Sequence, residues 1–381
     1  MPVESAVHET RLRSGVLRVT THAAELPLEE LCGFGTRRSL RRGFVFVSKV
    51  LGKHWPVRPC VFQDCCDRLA DRLTDLEGPA VLVAMAETAT GLGHGVFESW
   101  LRQTARNDLL FLHGTRYALA RPPALTFEEA HSHATRHWLY EPSDPDDRRL
   151  FNSARTLVIV DDEMSTGATA ANLAAAYRRH NPELRCVVFV CLTDWLDDAS
   201  RAAVTTRVGV STQFVNLLRG TFSFEPAPAF EPGPLPQVTG DDHDKSFCLP
   251  VNFGRLGLRE ELRLNEPALI AGADLSPGSR LLVLGTGEFH YPPFRLARWF
   301  EQQGWDVSFQ STTRSPLLVD GHLQSVLEFI DNYHEGIPNY LYNVADRHYD
   351  QVLIGYETDP LPTDHRLSEM LAAKPIHFGR T

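Results

Sequence analysis

Two aspartates stand side by side, Asp161 and Asp162, directly after the apolar run TLVIV (156–160). Such a run reads as a buried strand, and like charges at its end are costly to desolvate unless they meet a ligand. Behind them Ser165, Thr166, Gly167, Ala168 and Thr169 bring hydroxyls, backbone N–H groups and a flexible glycine to the start of the Ala-rich segment GATAANLAAAYRRH. Alanine favours helix, so this loop falls at a helix N-terminus, where unpaired N–H groups and the dipole attract an anion. The carboxylate pair accepts hydrogen bonds from vicinal hydroxyls, and the loop cradles a phosphomonoester. A ribose 5-phosphate carries both.

In this order, four apolar residues, an acidic pair and TGxT, the stretch resembles the PRPP-binding motif of type I phosphoribosyltransferases. The resemblance implies that Asp161 and Asp162 hold the ribose 2′- and 3′-hydroxyls and that Ser165 to Thr169 hold the 5-phosphate. An acidic strand-end turn with an ordinary helix cap needs only part of this set. Glu163 departs from the pattern: it either places an extra carboxylate beside the metal or the incoming base, or faces solvent.

PRPP also carries a pyrophosphate, which calls for a second cradle at a neighbouring strand end. The segment VLVAMAETATGLGHGVFESW offers a strand to Met85, then a turn through Ala86, Glu87, Thr88, Ala89 and Thr90, then Gly91 and further glycines opening a helix. It looks like the family's pyrophosphate loop, although Gly-rich helix starts are common. Lys49, Lys53 and His54 in VSKVLGKHWPVRP supply cations; LGKH resembles the early basic loop of orotate-type enzymes and puts Lys53 ahead of Lys49. In FEEAHSHATRHWLYEPSD, Glu128, Glu129, His131, His133 and His137 fall where the family carries a flexible catalytic loop, and His133 and His137 have the i, i+4 spacing of zinc ligands on a helix. A polar surface loop explains them equally. The cluster Arg37, Arg38, Arg41 and Arg42 is either a phosphate-facing patch or a solvated face.

These residues need a scaffold that aligns strand ends. GFVFVSKV, AVLVAMAET, TLVIVDD and CVVFVCLTD are β-branched runs of strand length, and strand, loop, helix, strand makes a βαβ unit of a parallel sheet. FEPAPAFEPGPLPQVTGDDHDKS (224–246) is rich in proline and reads as an extended linker. Beyond it the alternation resumes with RLLVLGTGEF, FRLARWFEQQGW, DVSFQSTTRSP, GHLQSVLEFIDNYH, DQVLIGYETDP and HRLSEMLAAK, the fourth and last falling where helices would.

Three strand ends in this second region carry polar loops: Gly285, Thr286, Gly287 and Glu288; Ser311, Thr312, Thr313, Arg314 and Ser315; Tyr356, Glu357, Thr358 and Asp359. In a parallel sheet they converge on one cleft. The tetrapeptide TRSP (313–316), with GTGEFHYPPF and GYETDPLP, resembles the TRSP domain found behind a phosphoribosyltransferase domain in tellurium-resistance (ter) gene neighbourhoods. The resemblance implies an α/β chain: a type I phosphoribosyltransferase-like parallel sheet flanked by helices (1–225), a Pro-rich linker (226–245) and a smaller Rossmann-like TRSP domain (246–381).

The chain of 381 residues has a net charge of −10, which argues against nucleic acid as a partner. Its seven cysteines lack CxxC pairs, no window suits a membrane span, and the expected setting is a reducing cytoplasm. The resemblance implies PRPP-dependent phosphoribosyl transfer to a nucleobase-like acceptor, with Mg²⁺ near Asp161 and Asp162, directly or through water, in a homodimer. A PRPP- or nucleotide-sensing regulator without turnover, or a bifunctional enzyme whose TRSP domain processes the product, are the alternatives.

Overall fold

The computed structural model describes residues 6–39, 42–128, 136–234 and 243–380. It has two compact units, and they interleave along the chain. One consists of Gln63–Leu217 and Thr239–Arg263; the other of Met1–Phe62, Leu218–Val238 and Leu264–Thr381. The serial order of domain, linker and domain expected from the sequence thus differs from the order in which segments pack. We call the first the central unit and the second the terminal unit.

In the central unit, four strands lie in the order Leu109–His113, Ala80–Ala84, Thr156–Val160 and Cys186–Asp194, all parallel. Every residue of the first three is buried, which is why their sequences are continuous apolar runs rather than alternating ones. Register sets Ala84 opposite both His113 and Val160, and Val160 opposite Val190, so the carboxyl ends finish together. Helix Ala168–His180 connects the last two strands and buries Leu173, Ala174 and Tyr177. Helix Thr90–Thr104 follows Ala80–Ala84, and Gly93 lets it approach closely: a Cβ there would stand 2.3 Å from that of Ala84.

The segment expected as a helical or mobile loop contains an antiparallel ribbon, Pro123–Glu128 against Arg136–Tyr140. His137 therefore lies on a strand rather than a helix, buried and stacked on Phe127 at 5.2 Å. Glu129, His131 and His133 lie outside the described residues.

The terminal unit has its own parallel sheet, ordered Asp306–Ser311, Arg280–Gly285, Gln351–Tyr356 and Lys374–His377. Helix Tyr291–Gln302 joins the first pair. The return to Gln351 carries no helix. GHLQSVLEFIDNYH, expected as one, holds strand Val326–Ile330, paired antiparallel with Pro338–Tyr342. Its exposure alternates with a period of two along VLEFI, and β-branched ends favour extended backbone. HRLSEMLAAK forms a single turn, Leu367–Met370.

Residues 1–62 complete this unit. Cys32–Arg37 pairs with Phe44–Ser48 and with Leu317–Leu318, and Val57 bridges Phe309. Strand Ser211–Pro226 begins in the central unit, and its residues 218–226 pair with Gly15–Ala24. The first residues of the expected linker, 224–226, are thus strand.

Candidate active site

At the end of Thr156–Val160 the chain turns through Asp161 and Asp162, both half-buried. The backbone N–H of Asp161 donates to the Val190 carbonyl at 2.9 Å, and that of Asp162 donates to Asp161 Oδ1 at 3.0 Å. The second loop meets them. Met85 N–H donates to the Val160 carbonyl at 2.9 Å, which brings the turn 86–90 against the aspartates. Thr88 Oγ1 then donates to Asp162 Oδ1 at 2.7 Å. A hydroxyl from the expected pyrophosphate loop thus orients a carboxylate of the expected ribose loop.

Beyond Asp162, Glu163–Met164 forms a short parallel pairing with Thr193 and Asp194. This fixes the backbone of Glu163 and leaves its side chain half-buried. Gly167 precedes the helix with φ of +65°, a left-handed conformation that L side chains rarely adopt. A Cβ there would also stand 2.9 Å from Val204 Cγ2 and 3.0 Å from Met164 Cε. The glycine therefore sets the loop tightly under the helix start. The N-cap residue of helix Ala168–His180 is Gly167, which has no side chain to cap it; the exposed Thr166 accepts from the Ala168 N–H through its Oγ1 at 3.4 Å, and Ser165, Ala168 and Thr169 are half-buried. The first turn presents N–H groups and hydroxyls to an anion.

The turn Ala86 to Thr90 is well buried apart from Thr88, and Gly91 is already inside helix Thr90–Thr104. Thr90 Oγ1 reaches back to the Glu87 carbonyl at 3.5 Å. Glu87 itself is 4% exposed and faces Arg116, whose guanidinium lies 3.8 Å from its carboxylate. Arg116 is a cation that sequence reasoning missed. Its signal was position: three residues past LLFLH, at the end of the third aligned strand.

Lys53 belongs to the terminal unit, 1% exposed, with Nζ donating to the Gly287 carbonyl at 2.6 Å. Lys49 is bound at the surface to the Glu29 carbonyl at 2.9 Å. The His54 carbonyl accepts from Asn343 Nδ2 at 2.8 Å. Of the arginine cluster, Arg42 lies 5.0 Å over the Phe44 ring, Arg38 reaches the Pro234 carbonyl, and Arg41 is outside the described residues.

The three polar loops of the terminal unit do converge. Thr312 N–H donates to the Gly285 carbonyl at 3.1 Å, Gly287 N–H to Thr312 Oγ1 at 3.0 Å, and Ser311 Oγ to the Gly287 carbonyl at 3.1 Å. Tyr333, absent from the sequence reading, links the loops after Gly285 and Tyr356: its phenol lies 2.9 Å from the Thr286 carbonyl and 2.8 Å from Glu357 Oε1. Arg314 is ion-paired with Glu335. Thr313 and Ser315 serve the backbone, Thr313 through exchange with Tyr340 and Ser315 through Thr313 Oγ1.

Aligned parallel strand ends, an acidic pair and a glycine-entered helix start define a nucleotide- or sugar-phosphate-handling α/β enzyme. The family model for a phosphoribosyl transferase matches residues 31–221, and that for the TRSP domain C-terminal to it matches 252–373. The chain belongs to this phosphoribosyl transferase family and carries its TRSP extension. It is a phosphoribosyltransferase.

No curated protein matches the sequence. Among solved structures, adenine phosphoribosyltransferase from Trypanosoma brucei, in complex with AMP, pyrophosphate and ribose-5-phosphate, is 13% identical, with 56% of this chain and 87% of that one covered and a TM-score of 0.36. The enzyme from Giardia lamblia complexed with 9-deazaadenine is 15% identical, with 42% and 80% covered and a TM-score of 0.29. Orotate phosphoribosyltransferase from Mycobacterium tuberculosis is 13% identical, with 50% and 91% covered and a TM-score of 0.29.

Proposed function

We propose that the central unit transfers the phosphoribosyl group of PRPP to a nucleobase-like acceptor, releasing pyrophosphate and inverting the anomeric carbon. The observation that carries this reading is the Thr88 to Asp162 hydrogen bond, which joins the two cradles PRPP requires. Asp161 and Asp162 accept from the ribose hydroxyls and offset positive charge as the ribose gains oxocarbenium character. The loop from Ser165 to Thr169 holds the 5-phosphate, and the turn from Ala86 to Gly91 holds the pyrophosphate, with Arg116 beside Glu87 as the nearby cation. Glu163 lies next to the acidic pair in sequence and is assigned to the acceptor side.

Among the described residues no group of three or more His, Cys, Asp or Glu is arranged to hold a metal. The protein's donors fit a magnesium ion that arrives with PRPP, with Asp161 and Asp162 as its protein contacts, directly or through water. Bound there, it supplies Lewis-acid neutralisation of the leaving pyrophosphate. The acceptor is a base in a ter-associated nucleoside-like pathway, and the working form is a cytoplasmic homodimer; among the described residues no helix is long and apolar enough to cross a membrane.

The test is pyrophosphate release from PRPP and Mg²⁺ across a panel of bases, in the native chain and in Asp161→Asn/Asp162→Asn. Release in the native chain that falls at least a hundredfold in the variant supports transfer. Release that survives in the variant, or tight PRPP binding with no release for any base, sinks it, the latter in favour of a sensor.

A further inference from the structure

Within the central unit, the ribbon of Pro123–Glu128 and Arg136–Tyr140 packs on helix Ala168–His180, which also packs on helix Asp198–Val208. These elements leave between them a cavity of about 750 Å³, within the ~300–1,000 Å³ range of small-molecule sites. Its floor is apolar. Phe127 and Trp138 come from the two strands of the ribbon, and Ala175 and Ala176 from the middle of the first helix. Phe127, Trp138 and Ala176 are buried.

The rim is cationic. Arg179, in the last turn of the first helix, and Arg207, in the last turn of the second, both line the cavity. Arg178 donates to the Val208 carbonyl at 2.9 Å and so holds those two helix ends together. Arg178 is thereby committed, whereas Arg179 and Arg207 are exposed and form no hydrogen bond, ion pair or ring contact among the described residues. A threonine and an asparagine complete the lining, so no carboxylate lies on it among the described residues. Helix Ala168–His180 holds no Asp or Glu, and the one in the second helix, Asp198, stands at its opposite end. An arginine in a last turn complements the helix dipole, but it brings a full charge against about half a charge at the helix end. The local surplus is positive in a chain whose net charge is −10.

Two guanidiniums match a doubly charged anion. A phosphomonoester carries about −1.5 to −2 at neutral pH, where a carboxylate carries a single charge, and guanidinium pairs with phosphate oxygens through two parallel hydrogen bonds. A bare phosphate ion would leave the floor of rings and methyl groups wet. An aromatic ring joined to the phosphate would cover it.

We propose that this cavity is a second ligand site, binding an aromatic phosphomonoester with its phosphate held by Arg179 and Arg207 and its ring on the floor of Phe127, Trp138 and the two alanines. It is apart from the cradles assigned to PRPP: no residue of the loop from Ser165 to Thr169 or of the turn from Ala86 to Gly91 lines it.

The test is calorimetric titration of the full chain with 1-naphthyl phosphate, alone and with ribose 5-phosphate in excess, with 1-naphthol and inorganic phosphate as controls. The probe should bind equally well with and without ribose 5-phosphate, and at least tenfold more tightly than either control. Arg179→Ala combined with Arg207→Ala should weaken it at least fivefold. Ala175→Phe, which fills the floor and keeps both cations, should do the same. Unfolding midpoints identify folded variants, and the variant of the two exposed arginines decides the matter if Ala175→Phe does not fold. No binding by the native chain, displacement by ribose 5-phosphate, a control that binds within tenfold of the probe, or a smaller loss in the arginine variant or in folded Ala175→Phe would each overturn the proposal. None of these readings uses pyrophosphate release, so the proposal stands or falls separately from the transfer reaction.

Discussion

At the scale of single residues, an adjacent acidic pair after an apolar run is legible because no packing rationale explains it, whereas its partners are not. Nothing in AETATG marks Thr88 rather than Thr90 as the hydroxyl that reaches Asp162; the fold decides this by pairing Met85 with Val160. A hydrogen bond to a charged acceptor contributes about 1.5–3 kcal/mol when dry, less in a half-open site. Thr88→Val should therefore raise the KM for PRPP about tenfold, Thr88→Ser should recover most of it, and unfolding midpoints should stay near native; an unchanged KM in Thr88→Val counts against the orientation of Asp162. His290, which carried no signal in sequence, is fully buried with its pKa pushed down to about 3 from 6.5. Its unfolded form binds a proton below pH 6.5 and its folded form does not, so stability is lost as pH falls from 6.5 toward 3. Between pH 7.5 and 5.0 this group alone should cost the native protein about 2 kcal/mol. His290→Gln should show a correspondingly flatter dependence in urea titrations at the two pH values, and parallel curves for the two proteins refute the assignment.

At the scale of elements, apolar runs revealed Ala80–Ala84, Thr156–Val160 and Cys186–Asp194 of the parallel sheet of the central unit, because burial on both faces leaves no polar alternation to misread. Leu109–His113 was missed, and GFVFVSKV, read alongside them, is instead Phe44–Ser48, antiparallel to Cys32–Arg37 in the terminal unit. The ribbon Val326–Ile330 with Pro338–Tyr342 was harder: LQSVLEFI fits helical spacing as well as strand spacing, and only the pairing partner decides. The loops that hold the site depend on how their helices sit. Helix Thr90–Thr104 rests on Ala84 through Gly93, and helix Ala168–His180 begins at the left-handed Gly167. Gly93→Val inserts atoms where a Cβ already overlaps Ala84, an overpacking that costs about 1–3 kcal/mol and displaces the turn holding Thr88. Gly167→Ala forces a left-handed alanine, at about 1–2 kcal/mol, and closes on Val204. Both should lower the unfolding midpoint and weaken PRPP binding together. A variant that loses stability but keeps native PRPP affinity would show that the loop is positioned by something other than its helix.

At the scale of the whole molecule, proline content suggested a boundary at 226–245, and the family models, at 31–221 and 252–373, also run serially. The packing does not, because sequence shows where regular structure stops but not which segments return to complete a sheet. The strand Asp306–Ser311 illustrates the consequence. Its Phe309 N–H donates to the Val57 carbonyl at 2.8 Å, its Ser311 N–H to the Gly52 carbonyl at 2.8 Å, and Gln310 Nε2 to the Lys53 carbonyl at 3.1 Å. Leu317–Leu318 likewise pairs with Cys32–Arg37. A fragment beginning at Ser246 would leave those groups unpaired on an open strand edge and would lose Lys53 from the strand-end cluster, a condition that favours association over folding. Expressed alone, residues 246–381 should therefore aggregate or unfold without cooperativity by circular dichroism, and joining residues 1–62 to them through a flexible linker should restore a sharp transition. If the short fragment is monomeric and melts cooperatively near the midpoint of the full chain, the first 62 residues are an accessory to this unit rather than part of its fold.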